Sequence, residues 1–345
     1  MKKTLLFAIV AATALFGKPL VSTSILPTKY FVEQIAGDTL DVNAMVEKGS
    51  DPHTYEPKPQ QMKELEKSDL YFAVGIEFED TWLEKFKKAY PDLNIIHTDK
   101  GIEKIKMAAH HHHDDDDDHD EHHEHDGDHH DHDKDHDDDD HDHDGDHHDK
   151  DHDDDGDHDH AHDKNHHDHD DNHHAQAHHH HHGELDPHIW LDPMLVKEQT
   201  KTIAQALIEK FPENKKLYEE NLDKFTKRLD ELDKYIEKTL KPFEDSIFIV
   251  YHPSWGYFAK RYDLKQLPIE IEGKEPKPAE LAELIEEAKE HNIKVIFVAP
   301  QFSQKTAKII AKQTGSKVVE IDQLPLEWEK EMKKTAEVFA KSLKN

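Results

Sequence analysis

Between residues 110 and 182 the chain has nothing from which to build a core, and this stretch divides the rest of the sequence in two. It holds 30 histidines and 31 acidic residues, diluted by three lysines, three glycines and a few Ala, Asn and Gln. No leucine, isoleucine, valine or aromatic residue occurs in it, so it is expected to be disordered. An acidic spacer needs no histidine, and a purification tag sits at a terminus. Imidazole is a preferred ligand of Zn(II), Cu(II) and Ni(II), and carboxylates add charge and oxygen donors. The run therefore points to divalent transition metals, held in many interchangeable weak sites between His110 and His182. Its carboxylates should raise the imidazole pKa values, so capture should weaken as pH falls below ~6.5.

With the run set aside, the charge balance changes character. The run accounts for −28 of the chain's net −33, leaving the other 272 residues mildly acidic. No basic patch suggests a nucleic-acid partner. The first 17 residues read as a secretory signal: Lys2 and Lys3 precede a short apolar stretch over 5–16 and small residues up to Gly17. The chain has no cysteine, which removes disulfides, thiolate metal sites and a lipid-modified cysteine. A periplasmic location is expected.

Apolar runs alternate with amphipathic stretches on both sides of the gap. Strands are expected over 20–25, 42–45, 70–74 and 93–96, with helices over 29–35, 59–67 and 82–88. Beyond the gap come helices over 193–211 and 213–240, the second carrying Leu217, Leu222, Phe225, Leu229, Leu232 and Tyr235 as an apolar stripe. Strands then follow over 247–251, 264–267, 295–299 and 318–321, among helices over 255–262, 278–291, 305–314 and 326–343. The expected fold is α/β: two lobes, each with a mainly parallel sheet flanked by helices, joined by one long helix. The boundaries are a signal over 1–17, an N-terminal lobe over 18–109, the His/Asp-rich loop over 110–182, and the end of that lobe over 183–211. A connecting helix over 212–241 and a C-terminal lobe over 242–345 complete it.

Only five histidines lie outside the run: His53, His97, His188, His252 and His291. Three adjoin proline, in Asp51-Pro52-His53, Asp186-Pro187-His188 and His252-Pro253, each in a loop near a strand end or helix start. Ligand groups of open parallel sheets gather at the strands' carboxyl ends, and proline-stiffened loops lose little freedom on binding. Asp322 ends the last strand and can reach the same crevice. Three imidazoles and a carboxylate form an N3O set suited to tetrahedral zinc. His97 and His291 end a strand and a helix and are read as surface residues. Glu56, Asp186 and Asp192 are candidate partners or caps, with capping favoured for Asp192. Trp190 and Trp255 are expected to pack around the site, and Glu77 and Glu79 to be solvated.

The segments Gly49-Ser50-Asp51-Pro52-His53-Thr54-Tyr55-Glu56-Pro57, His188-Ile189-Trp190-Leu191-Asp192-Pro193 and Tyr251-His252-Pro253-Ser254-Trp255-Gly256-Tyr257-Phe258 occur in this order. Together with Gly273-Lys274-Glu275-Pro276 they resemble the metal-binding solute-binding proteins of ABC importers (cluster A-I), and most closely their zinc-uptake, ZnuA-like members. Zinc-type members often carry a His-rich acidic insertion at this place, and here the run is expected to act as an accessory zinc gatherer or sensor. The resemblance implies two lobes bridged by a rigid helix, with Zn(II) as transported ligand clamped between them. It implies a membrane permease as partner, a monomer, and no enzymatic activity. Carried over by position, it makes His53 and His188 the N-terminal ligands, His252 the first C-terminal ligand, and Asp322 the least secure of the four. Manganese-type members tend to place Glu where this chain has His252. Two other functions fit a three-histidine cleft. One is a metal buffer or store, with the run as the functional part. The other is a zinc hydrolase, against which no helix carries H-E-x-x-H.

Overall fold

The structure, a computed structural model, describes residues 17–108, 185–271 and 273–344. The leader over 1–17, all but its last residue, and the disorder and metal sites expected of the His/Asp run lie outside the described residues.

Short strands separated by helices pair in parallel, because each return to the sheet then makes a crossover. In the first lobe β1 (Leu20–Thr23), β2 (Asp41–Ala44), β3 (Ser68–Ala73) and β4 (Asn94–His97) form a parallel sheet in the order β2-β1-β3-β4. The helices between them are α1 (Leu26–Ala36), α2 (Pro59–Leu65) and α3 (Glu77–Ala89). Proline at the start of α1 and of α2 sets the first helical turn, and Gly37, at φ +58°, ends α1. The second lobe repeats the plan. Its strands β5 (Ile247–Val250), β6 (Lys265–Pro268), β7 (Val295–Val298) and β8 (Lys317–Glu320) are ordered β6-β5-β7-β8. Each sheet reverses its winding beside its first strand, which opens a crevice at the strands' carboxyl ends.

The chain enters the second lobe through α4 (Pro193–Lys210) and α5 (Lys215–Leu240). Asp192 caps α4 as expected, its Oδ1 accepting from the Met194 backbone N–H at 2.7 Å. At 26 residues α5 is about 39 Å long. Its buried face is Tyr218, Phe225, Leu229, Leu232, Ile236 and Leu240. Leu217 and Tyr235, expected in the stripe, are each 38% exposed, and Tyr235 donates to Glu337 instead. An α-helical period assigns those ends to Tyr218 and Ile236, one residue further on.

After β5 the second lobe adds α6 (Gly256–Arg261), α7 (Pro278–Glu290), α8 (Lys305–Thr314) and α9 (Trp328–Lys344). The helix α9 returns across α5, so one apolar core runs from Val21 in the first sheet, through Phe31 and Phe225, to Trp328, Phe297 and Phe339 beside the second. The Phe31 and Trp328 rings meet edge to face at 5.1 Å. Trp190 Nε1 donates to the Gln323 carbonyl at 2.7 Å and Trp328 Nε1 to the Trp190 carbonyl at 2.8 Å. Arg228 on α5 adds polar ties to Gln34 of α1 and Glu329 of α9.

Glu79 departs from the sequence expectation of a solvated carboxylate. It is buried behind β3, accepting from Ser24 Oγ and from the Val74 and Gly75 backbone N–H groups. An acid at a helix start also closes the strand-to-helix turn, and that tertiary role masks its charge in the sequence. Burial pushes its carboxyl up to about 7, against the lowering effect of the three donors. A folded-state value above the unfolded one contributes stability that is complete below the unfolded value and is lost as pH rises. Glu79→Gln does not titrate. The stability of the native chain relative to this variant should therefore fall by about 3 kcal/mol from about pH 4 to about pH 7.5. Denaturant unfolding at both pH values checks this, and a relative stability that rises with pH contradicts it.

Candidate metal centre

Each proline-flanked histidine is held at a strand's carboxyl end or a helix entry by backbone that its neighbours fix. His252 lies two residues beyond β5, where Tyr251 N–H bonds to Phe297 and Glu270 N–H to Tyr251. His188 precedes the turn Ile189–Leu191 that leads to the Asp192 cap. His53 sits in the loop between β2 and α2, its backbone N–H on Asp51 Oδ1 at 3.0 Å.

The fold draws the three rings together. His188 and His252, both buried, approach to 3.2 Å between their Nε2 atoms, with ring centroids 5.1 Å apart. The His53 ring lies 4.9 Å from that of His252, its side chain 28% accessible. Every Nδ1 faces a carboxylate oxygen: Asp186 Oδ1 at 2.8 Å for His188, Glu270 Oε1 at 2.7 Å for His252, and Glu77 Oε2 at 2.5 Å for His53. A carboxylate accepts only, so each Nδ1 donates, and in the neutral ring Nε2 keeps its lone pair. With both rings neutral, two lone pairs face each other across 3.2 Å, an arrangement that a shared cation relieves. Nitrogens bound at roughly 2.0–2.1 Å in a tetrahedron stand about 3.3–3.4 Å apart, so the His188–His252 pair already has the length of one edge. Among the described residues no three His, Cys, Asp or Glu side chains yet enclose one point at ligand distance.

The surroundings treat the rings differently. Burial lowers the His188 pKa, Asp186 opposing and the other two imidazoles adding to the fall, which keeps it neutral as a ligand must be. Burial also acts downward on His53, but the Glu77 hydrogen bond and the charges of Glu77, Asp51 and Glu270 leave it raised. Phe302 stacks on His252 at 5.1 Å, and Trp190 packs on His188 at 5.1 Å.

Asp322 stands apart from the three. It is half-buried just past β8, and its Oδ1 accepts from Gln301 Nε2 at 3.0 Å and Leu324 N–H at 2.9 Å rather than from either lobe's imidazoles. His97 pairs loosely with Asp99, and His291 caps α7. Of the candidate partners Asp186 holds His188, while Glu56 is exposed and gives way to Glu77, read in the sequence as solvated. Glu270 was missed. Its signal is its place, two residues beyond β6 at the same edge as the ligands.

Geometry and kinship now meet. The family model ZnuA, described as zinc-uptake complex component A, periplasmic, matches residues 21–342. The chain belongs to this family. Its members are solute-binding proteins, and the chain is accordingly not an enzyme. It is 30% identical over 301 residues to the high-affinity zinc uptake system protein ZnuA of Bacillus subtilis, covering 86% of this chain and 76% of that one. It is 27% identical over 331 residues to the zinc-binding protein AdcA of Streptococcus pyogenes, covering 95% of this chain but only 55% of the relative's length. A crystal structure of ZnuA superposes with a TM-score of 0.71 at 33% identity, covering 95% of this chain and all of the other.

The carboxylate behind His252 supplies a test. Replacing a hydrogen-bond partner of a metal-binding imidazole costs roughly 10–100-fold in affinity. Glu270→Gln should weaken tight-site metal binding by about that factor, measured by competition with a chromophoric chelator; unchanged affinity would show that Glu270 does not orient the ring.

Proposed function

We propose that this member of the ZnuA family captures Zn(II) between its lobes on His53, His188 and His252, and delivers it to the membrane permease of an ABC importer. The observation that carries the reading is the pair of Nε2 atoms 3.2 Å apart, one from each lobe, each ring backed by its own carboxylate. Nitrogen-rich donors favour zinc over manganese. His53, the most accessible and separately held by Glu77, supplies the third nitrogen from the rim. Solvent completes the tetrahedron, because Asp322 Oδ1 is engaged by Gln301 and Leu324. The chain acts as a monomer in the periplasm after removal of residues 1–17.

The His/Asp run is an accessory gatherer in this scheme. Its 30 histidines offer abundant interchangeable ligands, so each site is weak and exchanges fast, and the run raises the local zinc concentration or senses zinc abundance. The storage alternative makes the run the principal binder. Zinc titration against a competing chelator separates the two. His53→Ala, His188→Ala and His252→Ala should each abolish high-affinity binding, whereas Asp322→Ala should leave it nearly unchanged. Deleting 110–182 should lower total stoichiometry and spare one tight site. Loss of that site on deletion, or its survival in all three histidine variants, would contradict the assignment.

A further inference from the structure

The position of Asp186 is set from the opposite lobe. It is fully buried. Its Oδ1 accepts from both the backbone N–H and Nδ1 of His188, at 2.9 and 2.8 Å, and its Oδ2 has no hydrogen-bond partner. Its backbone N–H bonds to the Ile105 carbonyl at 2.8 Å, which ties together the two chain segments that flank the His/Asp run. Tyr257 of α6, in the second lobe, reaches both segments with one hydroxyl. The Tyr257 hydroxyl donates to the Asp186 carbonyl at 2.7 Å and accepts from the Ile105 N–H at 3.2 Å. The residue before it is Gly256, and a Cβ there would stand 2.5 Å from Asp186 Oδ2. The start of α6 therefore grips Asp186 twice, by a hydrogen bond on its backbone and by close approach to its side chain.

We infer that Tyr257 is a positioning residue for the metal site: its hydroxyl sets Asp186, and through Asp186 the direction of the His188 Nε2 lone pair. The lobe that supplies His252 thereby also aligns His188, so the 3.2 Å pair is built as one unit. His53 is hydrogen-bonded to a different carboxylate, Glu77 of the first lobe. The hydroxyl is specific to this role, since the buried Tyr257 ring would pack equally well as phenylalanine. The missing side chain at Gly256 has the same origin, because any Cβ displaces the carboxylate that holds His188.

This inference rests on His188 being a zinc ligand, and the test keeps the two claims apart. Full-length Tyr257→Phe, Asp186→Asn, Glu77→Gln and His188→Ala, with the doubles Tyr257→Phe/Asp186→Asn and Tyr257→Phe/Glu77→Gln, are compared by zinc competition. One equivalent of Co(II) serves as the spectroscopic probe of ligand geometry. Tyr257→Phe should weaken the tight site about tenfold and alter the Co(II) ligand-field bands, while circular dichroism and thermal unfolding stay near those of the parent. Its effect should fail to add to that of Asp186→Asn and should add to that of Glu77→Gln, as expected of one shared and one separate route to the metal. Gly256→Ala should weaken binding in the same direction. Parent affinity and spectrum in Tyr257→Phe, or full additivity with Asp186→Asn, would overturn the positioning role while His188→Ala still loses the tight site. Retention of the tight site in His188→Ala would instead overturn the ligand assignment, and the inference with it.

Discussion

Two indole N–H groups fix the frame on which the site is hung. Trp190, beside His188 in the first lobe, donates to the Gln323 carbonyl of the second; Trp328, at the start of α9, donates back to the Trp190 carbonyl. Both rings are buried in a core that crosses α5 without a break, so separating the lobes would strip two aromatic side chains of their packing and leave two buried donors unpaired. Truncating such a ring costs about 3–5 kcal/mol. A frame of this kind holds ligands from two lobes at a set spacing before any ion arrives, which lowers the ordering cost of binding.

On that frame the chemistry is distributed with some economy. One carboxylate backs each imidazole, and the three come from different places: Asp186 two residues before its histidine, Glu77 beyond β3, Glu270 beyond β6. Each fixes a tautomer and turns Nε2 toward the cleft. In the proposed site the donors are nitrogens, and the carboxylate charge stands behind them. In the proposed scheme two binders of opposite character share one chain. The cleft is ordered and few-sited; the His/Asp run is rich in ligands and carries no apolar anchor.

The sequence exposes the parts of this arrangement that depend on local pattern. Apolar runs located the eight strands of the described residues within a few positions, most clearly β5 and β7, whose buried residues read as continuous hydrophobic stretches. Proline beside His53, His188 and His252 marked the three that converge. What stayed hidden depends on tertiary contact. Glu79 reads as a helix-start acid, yet three donors of β1 and the β3 turn surround it. Glu270 and Tyr257 have no local signature, because their partners lie 18 and 71 residues away. The α5 stripe slipped by one residue at both ends, where an apolar Leu217 and an amphipathic Tyr235 sit beside the true core positions. Asp322 matched a family position, and its Oδ1 accepts from Gln301 and Leu324.

The central claim is that a fixed two-lobe frame presents three imidazoles to a single ion. A crystal structure of the full-length, zinc-loaded chain, with the metal located by anomalous scattering at the zinc edge, tests it most directly. The account expects one strong ordered peak about 2.0–2.1 Å from the Nε2 atoms of His53, His188 and His252, with the indole bonds of Trp190 and Trp328 intact. An ordered peak that lacks either His188 or His252, or lobes that have parted at those indoles, would contradict it.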